Sequence, residues 1–252
     1  MIRSDLTNEA LLGKLRQNLR LEAWEEALVA ALPAHDAVMV RDQPVMLDAD
    51  TVFLVLDGWL CGYQMAGDGE RQIKSFHLTG DIPNVSRLIL PGYASQYTAL
   101  SPCHLALFRA SALKEVCQKS VAITGYVSRL LAIEARIAQE WIVNLAGRKS
   151  VARAAHLLCE LAVRLDAAVP KQASSPGQAP NSGYVIPLTQ TDLGDALGLS
   201  TVHTNRVLQE LRAQHLIAFA AGHLAIPDRE RLAAVAGFDP AYLHLKASPV
   251  TA

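Results

Sequence analysis

Residues 188–217, LTQTDLGDALGLSTVHTNRVLQELRAQHLI, decide the fold of this chain. Thr189 and Asp192 stand three residues apart, which is the spacing of a capping box, and they predict a short helix over Gln190–Leu197. Gly198 then supplies the backbone freedom that a tight turn needs. The stretch therefore begins as a short helix that ends at a glycine turn.

A second helix follows this turn. Ser200 is a favourable N-cap, so we expect the helix to run from Thr201 to about Gln214. Its buried stripe repeats at steps of three and four and consists of Thr204, Val207, Leu208 and Leu211. The opposite face carries Val202, Asn205, Arg206 and Gln209, flanked by Thr201 and His203. Two short helices joined in this way, the second with a polar N-terminal outer face, are typical of a helix-turn-helix.

A β-hairpin is predicted immediately after the second helix. Residues 216–226, LIAFAAGHLAI, read as two short strands around Ala221-Gly222. Asp228 is placed to cap one more helix through Ala236. A hairpin in this position is the wing of a winged helix-turn-helix. The alternative, an ordinary helical hairpin inside a core, does not account for the wing, so the pattern favours DNA binding.

The N-terminal half has a different texture. Leu6–Leu32 has helical spacing and strong helix formers, which predict a helix closed by Pro33. From there onward, turn signals separate short β-rich runs at Val38–Val40, Val52–Leu56, Leu60–Gln64, Gln72–Phe76, Tyr97–Leu100 and Leu105–Phe108. Short strands at near-regular intervals indicate an antiparallel sandwich or roll.

Ala112–Leu145 predicts a long helix, because it runs without proline and holds one glycine. Apolar residues recur on it at steps of four and three, with Glu134 and Asn144 as polar interruptions. The apolar positions of this heptad seam are Ile123, Val127, Leu130, Ile137 and Trp141. A helix about 50 Å long overhangs a roll-sized domain, so we expect it to pair with a second copy. Packing of the helix on its own roll is the alternative.

The whole chain is predicted to be an α+β protein in three parts. These are a β-roll sensor domain over residues 1–111, a dimerisation helix over 112–147 and a winged helix-turn-helix domain over 148–252, with the helix-turn-helix at about 189–208. The third part begins with a helix over Ser150–Asp166. Pro170–Gly183 is low in apolar residues and is expected to be a flexible connection.

These motifs resemble those of the bacterial Crp/Fnr superfamily of transcription regulators over nearly the whole chain. VFLVLDGWL at 52–60 and DGERQIKSF at 68–76, followed by Gly80-Asp81, are similar to the family's cyclic-nucleotide-binding-like β-roll. The long helix resembles the family's dimerisation helix, and residues 188–208 resemble its DNA-reading signature. The resemblance implies a homodimer that binds a two-fold symmetric operator and recruits or blocks RNA polymerase.

The resemblance also implies roles for individual residues. Thr201, Val202 and Arg206 take the principal base-reading places, and the Arg206 fork suits guanine O6 and N7. Because Thr201-Val202 replace the Arg-Glu pair of the cyclic-AMP receptor type, that receptor's operator is not implied. Val202 suits a thymine methyl group, and His203 suits a phosphate or a base edge. The expected DNA contacts, with those at helix N-termini placed for phosphate, are Thr189, Gln190, Ser200, Thr201, Val202, His203, Arg206 and Gln209.

The predicted roll lacks the residues with which this family binds cyclic nucleotides. In the family a Gly-Glu pair follows the Gly-Asp turn, and an Arg-Ser pair follows further on. Counted from Gly80-Asp81, these places hold Asn84-Val85 and Ser95-Gln96, and Arg87 is out of register. We therefore expect a degenerate effector site that does not bind cyclic AMP or cyclic GMP. A cyclic-nucleotide-responsive regulator and an unknown small-molecule effector stay open as alternatives.

Cofactor sensing and catalysis are not indicated by the sequence. The cysteines Cys61, Cys103, Cys117 and Cys159 do not form the N-terminal cluster that an iron–sulfur centre needs. A haem held by His77 or Cys61 stays an alternative. A cupin-like metal enzyme is a further alternative, but His77 and His104 are isolated and no H-x-H pair is present. We expect no cofactor, no metal and no enzymatic activity.

Composition bounds the remaining function classes. The 23 basic and 24 acidic side chains give a net charge of −1, and 51% of the residues are hydrophobic. The start lacks the apolar segment of a secretory signal, and no window reaches the roughly 18 apolar residues of a membrane span. Scattered cysteines fit a reducing compartment. We expect a cytoplasmic protein without membrane association, whose effector, operator sequence, target genes and sign of regulation stay open.

Overall fold

The computed structural model describes residues 3–67, 69–90, 95–168 and 183–245. The chain divides into two compact units. The first contains the residues up to 63 together with 76–135, and the second contains 64–75 together with 136–245. Within the described ranges, no helix combines the length and the hydrophobicity that crossing a bilayer requires.

The first unit begins with two helices, α1 (Arg3–Arg16) and α2 (Ala23–Ala30). The prediction of one helix over 6–32 was wrong in its continuity. The Asn18 side chain donates a hydrogen bond of 2.9 Å to the Lys14 carbonyl and so satisfies the end of α1. The Glu25 carboxylate accepts a hydrogen bond of 2.9 Å from the Glu22 amide and so starts α2.

Six strands follow in the described part of this region. They are β1 (Ala34–Met39), β2 (Thr51–Asp57), β3 (Leu60–Met65), β4 (Arg71–His77), β5 (Gln96–Ala99) and β6 (Cys103–Arg109). They form one sheet in the order β1-β6-β2 and another in the order β4-β3-β5. All six correspond to predicted runs, although β1 begins four residues before its predicted start.

The core of the first unit lies between these strands and the helices. Phe53 and Leu60 are completely buried, and the Phe53 ring meets Tyr97 edge-on at a centroid distance of 5.4 Å. Gly58 has φ +92°, and a Cβ there would lie 2.3 Å from the Pro102 carbonyl oxygen, so only glycine fits this turn. Continuous buried runs on β2 and β6 thus close the roll around aromatic and aliphatic side chains.

The predicted long helix is two helices, α3 (Ala110–Lys119) and α4 (Val121–Gly147). The prediction of one continuous helix over 112–145 was wrong at Ser120, whose backbone is extended with φ −116° and ψ 114°. The Ser120 hydroxyl accepts a hydrogen bond of 3.0 Å from the Ile123 amide and donates one to the buried Glu25 carboxylate. Ser120 therefore starts α4 as a new helix and ties it to α2.

The second unit contains the elements predicted to bind DNA and a third strand beside the wing. These elements are α5 (Ser150–Ala168), β7 (Tyr184–Val185), α6 (Gln190–Leu197), α7 (Thr201–Ala213), β8 (Ala218–Ala220), β9 (His223–Ala225), α8 (Arg229–Ala236) and a 3-10 turn at Pro240–Leu243. The predicted hairpin is confirmed as β8–β9, and β7 pairs with β9 in the sheet order β7-β9-β8. Nearly all of the predicted connection over 170–183 lies outside the described residues.

A buried carboxylate organises the interior of the second unit. Glu160 on α5 is completely buried, and its Oε2 accepts hydrogen bonds from Trp141 Nε1 at 3.0 Å and from the Tyr242 hydroxyl at 2.8 Å. Arg164 Nη1 lies 3.4 Å from the other oxygen. Burial and the adjoining Glu160 carboxylate raise the pKa of Tyr242. The hydrogen bonds of this one carboxylate therefore join the end of α4, the middle of α5 and the C-terminal turn.

Candidate nucleic-acid interface

The first helix of the predicted helix-turn-helix, α6, starts at a complete capping box. Thr189 Oγ1 accepts a hydrogen bond of 3.0 Å from the Asp192 amide. In return, Asp192 Oδ2 accepts bonds of 2.9 Å and 2.7 Å from the Thr189 amide and hydroxyl. This reciprocal pair confirms the capping box predicted from the spacing of the two residues.

A cation from the β3–β4 hairpin reaches the same helix within the second compact unit. Arg71 Nη2 lies 2.7 Å from Asp192 Oδ1, and Arg71 Nε lies 2.7 Å from Asp195 Oδ2. Gln72 Nε2 also donates a hydrogen bond of 2.6 Å to the Asp195 carbonyl. One guanidinium thereby pairs with two carboxylates and offsets half of their charge, on a helix whose N-terminus is expected to approach phosphate. Sequence patterns gave no sign of this contact, because the partners stand more than 120 positions apart.

The turn between α6 and α7 depends on two glycines. Gly198 adopts the left-handed conformation, with φ 61° and ψ 42°, and so confirms the predicted turn. Gly194 lies inside α6 where the following segment passes closely. A Cβ at Gly194 would lie 2.7 Å from the Leu199 carbonyl oxygen and 3.1 Å from Thr204 Oγ1. The two helices can approach each other this closely because Gly194 has no side chain.

The second helix, α7, has the predicted start and the predicted buried stripe. Ser200 Oγ accepts a hydrogen bond of 3.3 Å from the His203 amide, which makes Ser200 the N-cap. The Thr204 hydroxyl donates a bond of 3.0 Å to the Ser200 carbonyl. The residues that α7 buries are Thr204, Val207, Leu208 and Leu211. The periodicity of the sequence therefore gave the correct inner face of this helix.

The outer face of α7 collects the predicted base-reading residues. Val202 is 82% exposed. His203 is half-buried at the edge of the face. The other exposed positions of this face are Thr201, Arg206 and Gln209, and the exposed cap residues Thr189 and Ser200 lie at the starts of α6 and α7. The predicted set therefore lies on two neighbouring helices, with its base-reading members on one face of α7.

One residue of this surface was absent from the predicted set. Asn205, half-buried on α7, donates a hydrogen bond of 3.0 Å from Nδ2 to Gln190 Oε1 at the start of α6. The sequence placed Asn205 on the outer face but gave no reason to single it out. A usable signal was its position beside Arg206 within the first two turns of the helix.

The residues of the predicted dimer seam on α4 differ in how deeply they are buried within one chain. Ile123 and Val127 are buried in the core of the first unit, and Trp141 is buried against Glu160. Leu130 and Ile137 are only half-buried. Part of the seam therefore already packs inside one chain, whereas Leu130, which packs against the edge of that core, and Ile137 stay partly exposed.

The residues considered for cofactors do not gather into one site. Cys103 donates a hydrogen bond to the Trp59 carbonyl at 3.1 Å, and Cys61 is completely buried. His77 packs edge-on against Tyr97, and His104 lies 3.0 Å from the Asp36 carboxylate. Within the described ranges there is no group of three or more histidine, cysteine, aspartate and glutamate side chains that could hold a metal ion.

Comparison with known proteins agrees with this geometry. Residues 152–235 match the family model of the Crp-like helix-turn-helix domain, from α5 to α8. The helix-turn-helix is a DNA-binding motif, and the matched range includes the complete helix-turn-helix and its wing. The class of protein is therefore a winged helix-turn-helix DNA-binding protein.

Curated relatives resemble this chain over about three quarters of its length. The fumarate and nitrate reduction regulatory protein of Yersinia pestis is 23% identical over 190 residues, which is 74% of this chain and 71% of that protein. The transcriptional activator protein FnrL of Cereibacter sphaeroides is 28% identical over 191 residues, which is 75% of this chain and 74% of that protein. By name, the first relative is a regulatory protein and the second is a transcriptional activator.

Solved structures share the fold. FixK2 from Bradyrhizobium japonicum has a TM-score of 0.70 at 24% identity and covers 81% of this chain and 98% of its own. A CooA mutant from Carboxydothermus hydrogenoformans has a TM-score of 0.63 at 12% identity and covers 88% of this chain and 94% of its own. These structures show the fold, and the matched domain together with the relatives supports a transcription regulator of the Crp/Fnr superfamily. The predicted α+β fold is confirmed by the same findings.

The close approach at Gly194 generates a stability prediction. Gly194→Ala forces a methyl group against the Leu199 carbonyl, and overpacking of this kind costs about 1–3 kcal/mol. Denaturant unfolding should show that loss of free energy. Gly13→Ala is the matched control, since a Cβ there meets nothing within 4 Å and α1 gains about 1 kcal/mol of helix propensity. Equal midpoints for Gly194→Ala and the wild type would contradict the packing described here.

Proposed function

We propose that this DNA-binding regulator reads a two-fold symmetric operator as a homodimer, through the outer face of α7. The observation that carries the proposal is the exposed N-terminal face of α7, held above a capped α6. A recognition helix in the major groove uses residues of its N-terminal half to contact base edges. A two-fold axis then places the half-sites about one helical turn apart.

The contacts divide into base reading and positioning. Arg206 is exposed and carries the planar fork that suits guanine O6 and N7. Val202 contacts a thymine methyl group, which accounts for a large apolar side chain left open to solvent. Thr201, His203 and Gln209 border these two readers. Thr189, Gln190 and Ser200 stand at the helix N-termini, where backbone and side-chain donors bind phosphate.

The dimer forms through α4. Leu130 and Ile137 stand seven residues apart, so they lie on the same side of the helix. Glu134 lies between them, and burial, reinforced by the Asp81 carboxylate, raises the pKa of Glu134 to about 7. At neutral pH this carboxyl is therefore partly protonated, which lowers the cost of keeping it in an apolar seam. RNA polymerase is the further partner that a regulator of this type recruits or blocks.

The roll does not recognise a cyclic nucleotide. At the places of the family's Gly-Glu pair, Asn84 and Val85 are both buried. Asn84 Oδ1 accepts a hydrogen bond of 3.1 Å from the Phe53 amide, and its Nδ2 donates one of 2.8 Å to the Thr51 carbonyl. Arg87 Nη1 donates to the Asp48 carbonyl at 2.5 Å. These side chains serve the roll itself, so the regulator responds to a different effector or to none, in the cytoplasm.

The reading of guanine by Arg206 is tested by substitution. On a symmetric site selected from random DNA by the wild-type protein, Arg206→Ala should cost on the order of 1–3 kcal/mol and relax the preference at one position per half-site. Arg231→Ala is the control, because it removes an equally exposed charge from α8. Fluorescence anisotropy at fixed salt measures both variants. An equal loss on specific and random DNA would show that Arg206 only contacts phosphate.

Assembly is tested by placing a charge in the seam. Ile137→Asp should yield monomers that bind the symmetric site poorly, since burying an unpaired charge costs several kcal/mol. The neighbouring Ala138 is exposed, so Ala138→Asp adds the same charge off the seam and should remain dimeric. Analytical ultracentrifugation distinguishes the two. A wild-type monomer at micromolar concentration would rule out this interface.

The degenerate effector site is tested by titration calorimetry. A hydrogen bond to a charged group contributes about 1.5–3 kcal/mol. Lacking the arginine and glutamate contacts therefore weakens a micromolar site by roughly two to four powers of ten. Neither cyclic AMP nor cyclic GMP should bind with a dissociation constant below about 100 μM. Tighter binding of either nucleotide would contradict the assignment of Asn84 and Val85 as purely structural residues.

A further inference from the structure

The hydrogen bond between Asn205 and Gln190 joins two helices at the DNA-facing surface. Asn205 lies on α7 next to Arg206, and Gln190 is the first residue of α6. Both side chains are half-buried, and Asn205 Nδ2 lies 3.0 Å from Gln190 Oε1. A link between two side chains of a reading surface fixes one of them relative to the other before any DNA is bound.

The position of Asn205 on α7 points it to a base near that of Arg206. Residues one turn earlier, Thr201 and Val202, belong to the same outer face, because side chains three and four apart are neighbours on a helix. Asn205 and Arg206 are consecutive on α7, so they are separated by a rise of about 1.5 Å along the helix and their side chains diverge by about 100° around it. Two side chains that start this close together and diverge in this way suit different but nearby base pairs.

The hydrogen-bonding groups of Asn205 that Gln190 does not use match one base. Its amide group carries two hydrogens, and one is given to Gln190. The second hydrogen and the Oδ1 oxygen make no further hydrogen bond to the residues that the structure describes. A donor beside an acceptor matches adenine, which presents N7 as acceptor and the N6 amino group as donor in the major groove. Guanine presents two acceptors there, so its O6 would face the Asn205 oxygen.

We propose that Asn205 is a specificity-determining residue that reads an adenine close to the guanine read by Arg206, and that Gln190 is its positioning residue. The proposal rests on the proposed function of α7 as the reading helix. Gln190 Oε1 holds the Asn205 amide in one orientation, and its Nε2 stays directed to a phosphate at the start of α6. Because Asn205 is already ordered, DNA binding does not have to order it.

The alternative is that this hydrogen bond only ties α6 to α7. A structural tie affects folding and affinity for all DNA alike, whereas a reader affects the preference at one base pair. The two readings therefore differ in sequence preference, which stability measurements do not report. The conservative variant Gln190→Glu separates them further, because it keeps the acceptor oxygen and loses the donor to phosphate.

The experiment selects binding sites from a random DNA library with the full-length protein and repeats the selection with four variants. Asn205→Ala and Gln190→Leu should each lose the adenine preference close to the Arg206-dependent guanine, on the order of tenfold for Asn205→Ala. Gln190→Glu should keep that preference while binding all DNA more weakly. Gln214→Ala removes an amide from the far end of α7 and should leave every position unchanged.

Several outcomes overturn the inference. If the sites selected by Asn205→Ala show the same base preferences as those of the wild type, Asn205 does not read adenine. A change at a base other than adenine leads to the same conclusion. Loss of the preference in Gln190→Glu as well as in Gln190→Leu removes Gln190 as the positioning residue. The proposed function fails separately, and visibly, if the wild-type protein selects no symmetric site or if its guanine does not depend on Arg206.

Discussion

The contact between α6 and α7 at Gly194 sets the geometry on which the reading surface depends. Because Gly194 has no side chain, the Leu199 carbonyl and the Thr204 hydroxyl approach α6 closely. This approach fixes the offset between the N-terminus of α6, where phosphate is expected, and the outer face of α7, where bases are expected. The bond between Asn205 and Gln190 also joins α6 to α7.

A second constraint acts behind the reading surface. The buried Glu160 carboxylate takes hydrogen bonds from Trp141 on α4 and from Tyr242 in the C-terminal turn. A buried charge is costly unless its partners stay in place, so any shift of the end of α4 against α5 must break or move these bonds together. The end of α4 is therefore held firmly against α5. The two helices that are proposed to bind DNA belong to the same unit.

Residue spacing in the sequence correctly predicted features that depend only on neighbouring residues. The capping box of Thr189 and Asp192 and the buried stripe of α7 follow from spacing alone. The break at Ser120 was missed because its buried partner, Glu25, stands 95 positions away. The contact of Arg71 with α6 was missed for the same reason. The bond between Gln190 and Asn205 was missed because it depends on how α6 packs against α7. Such pairs depend on how distant segments pack, which residue periodicity does not report.

The turn that holds Asn84 and Val85 constrains which residues can occupy these two places. A glycine at 84 removes two hydrogen bonds to β2, and a glutamate at 85 buries a carboxylate in the apolar core. Each step alone yields a less stable roll without a ligand to compensate it. The packing of the roll itself therefore disfavours a Gly-Glu pair at these two places.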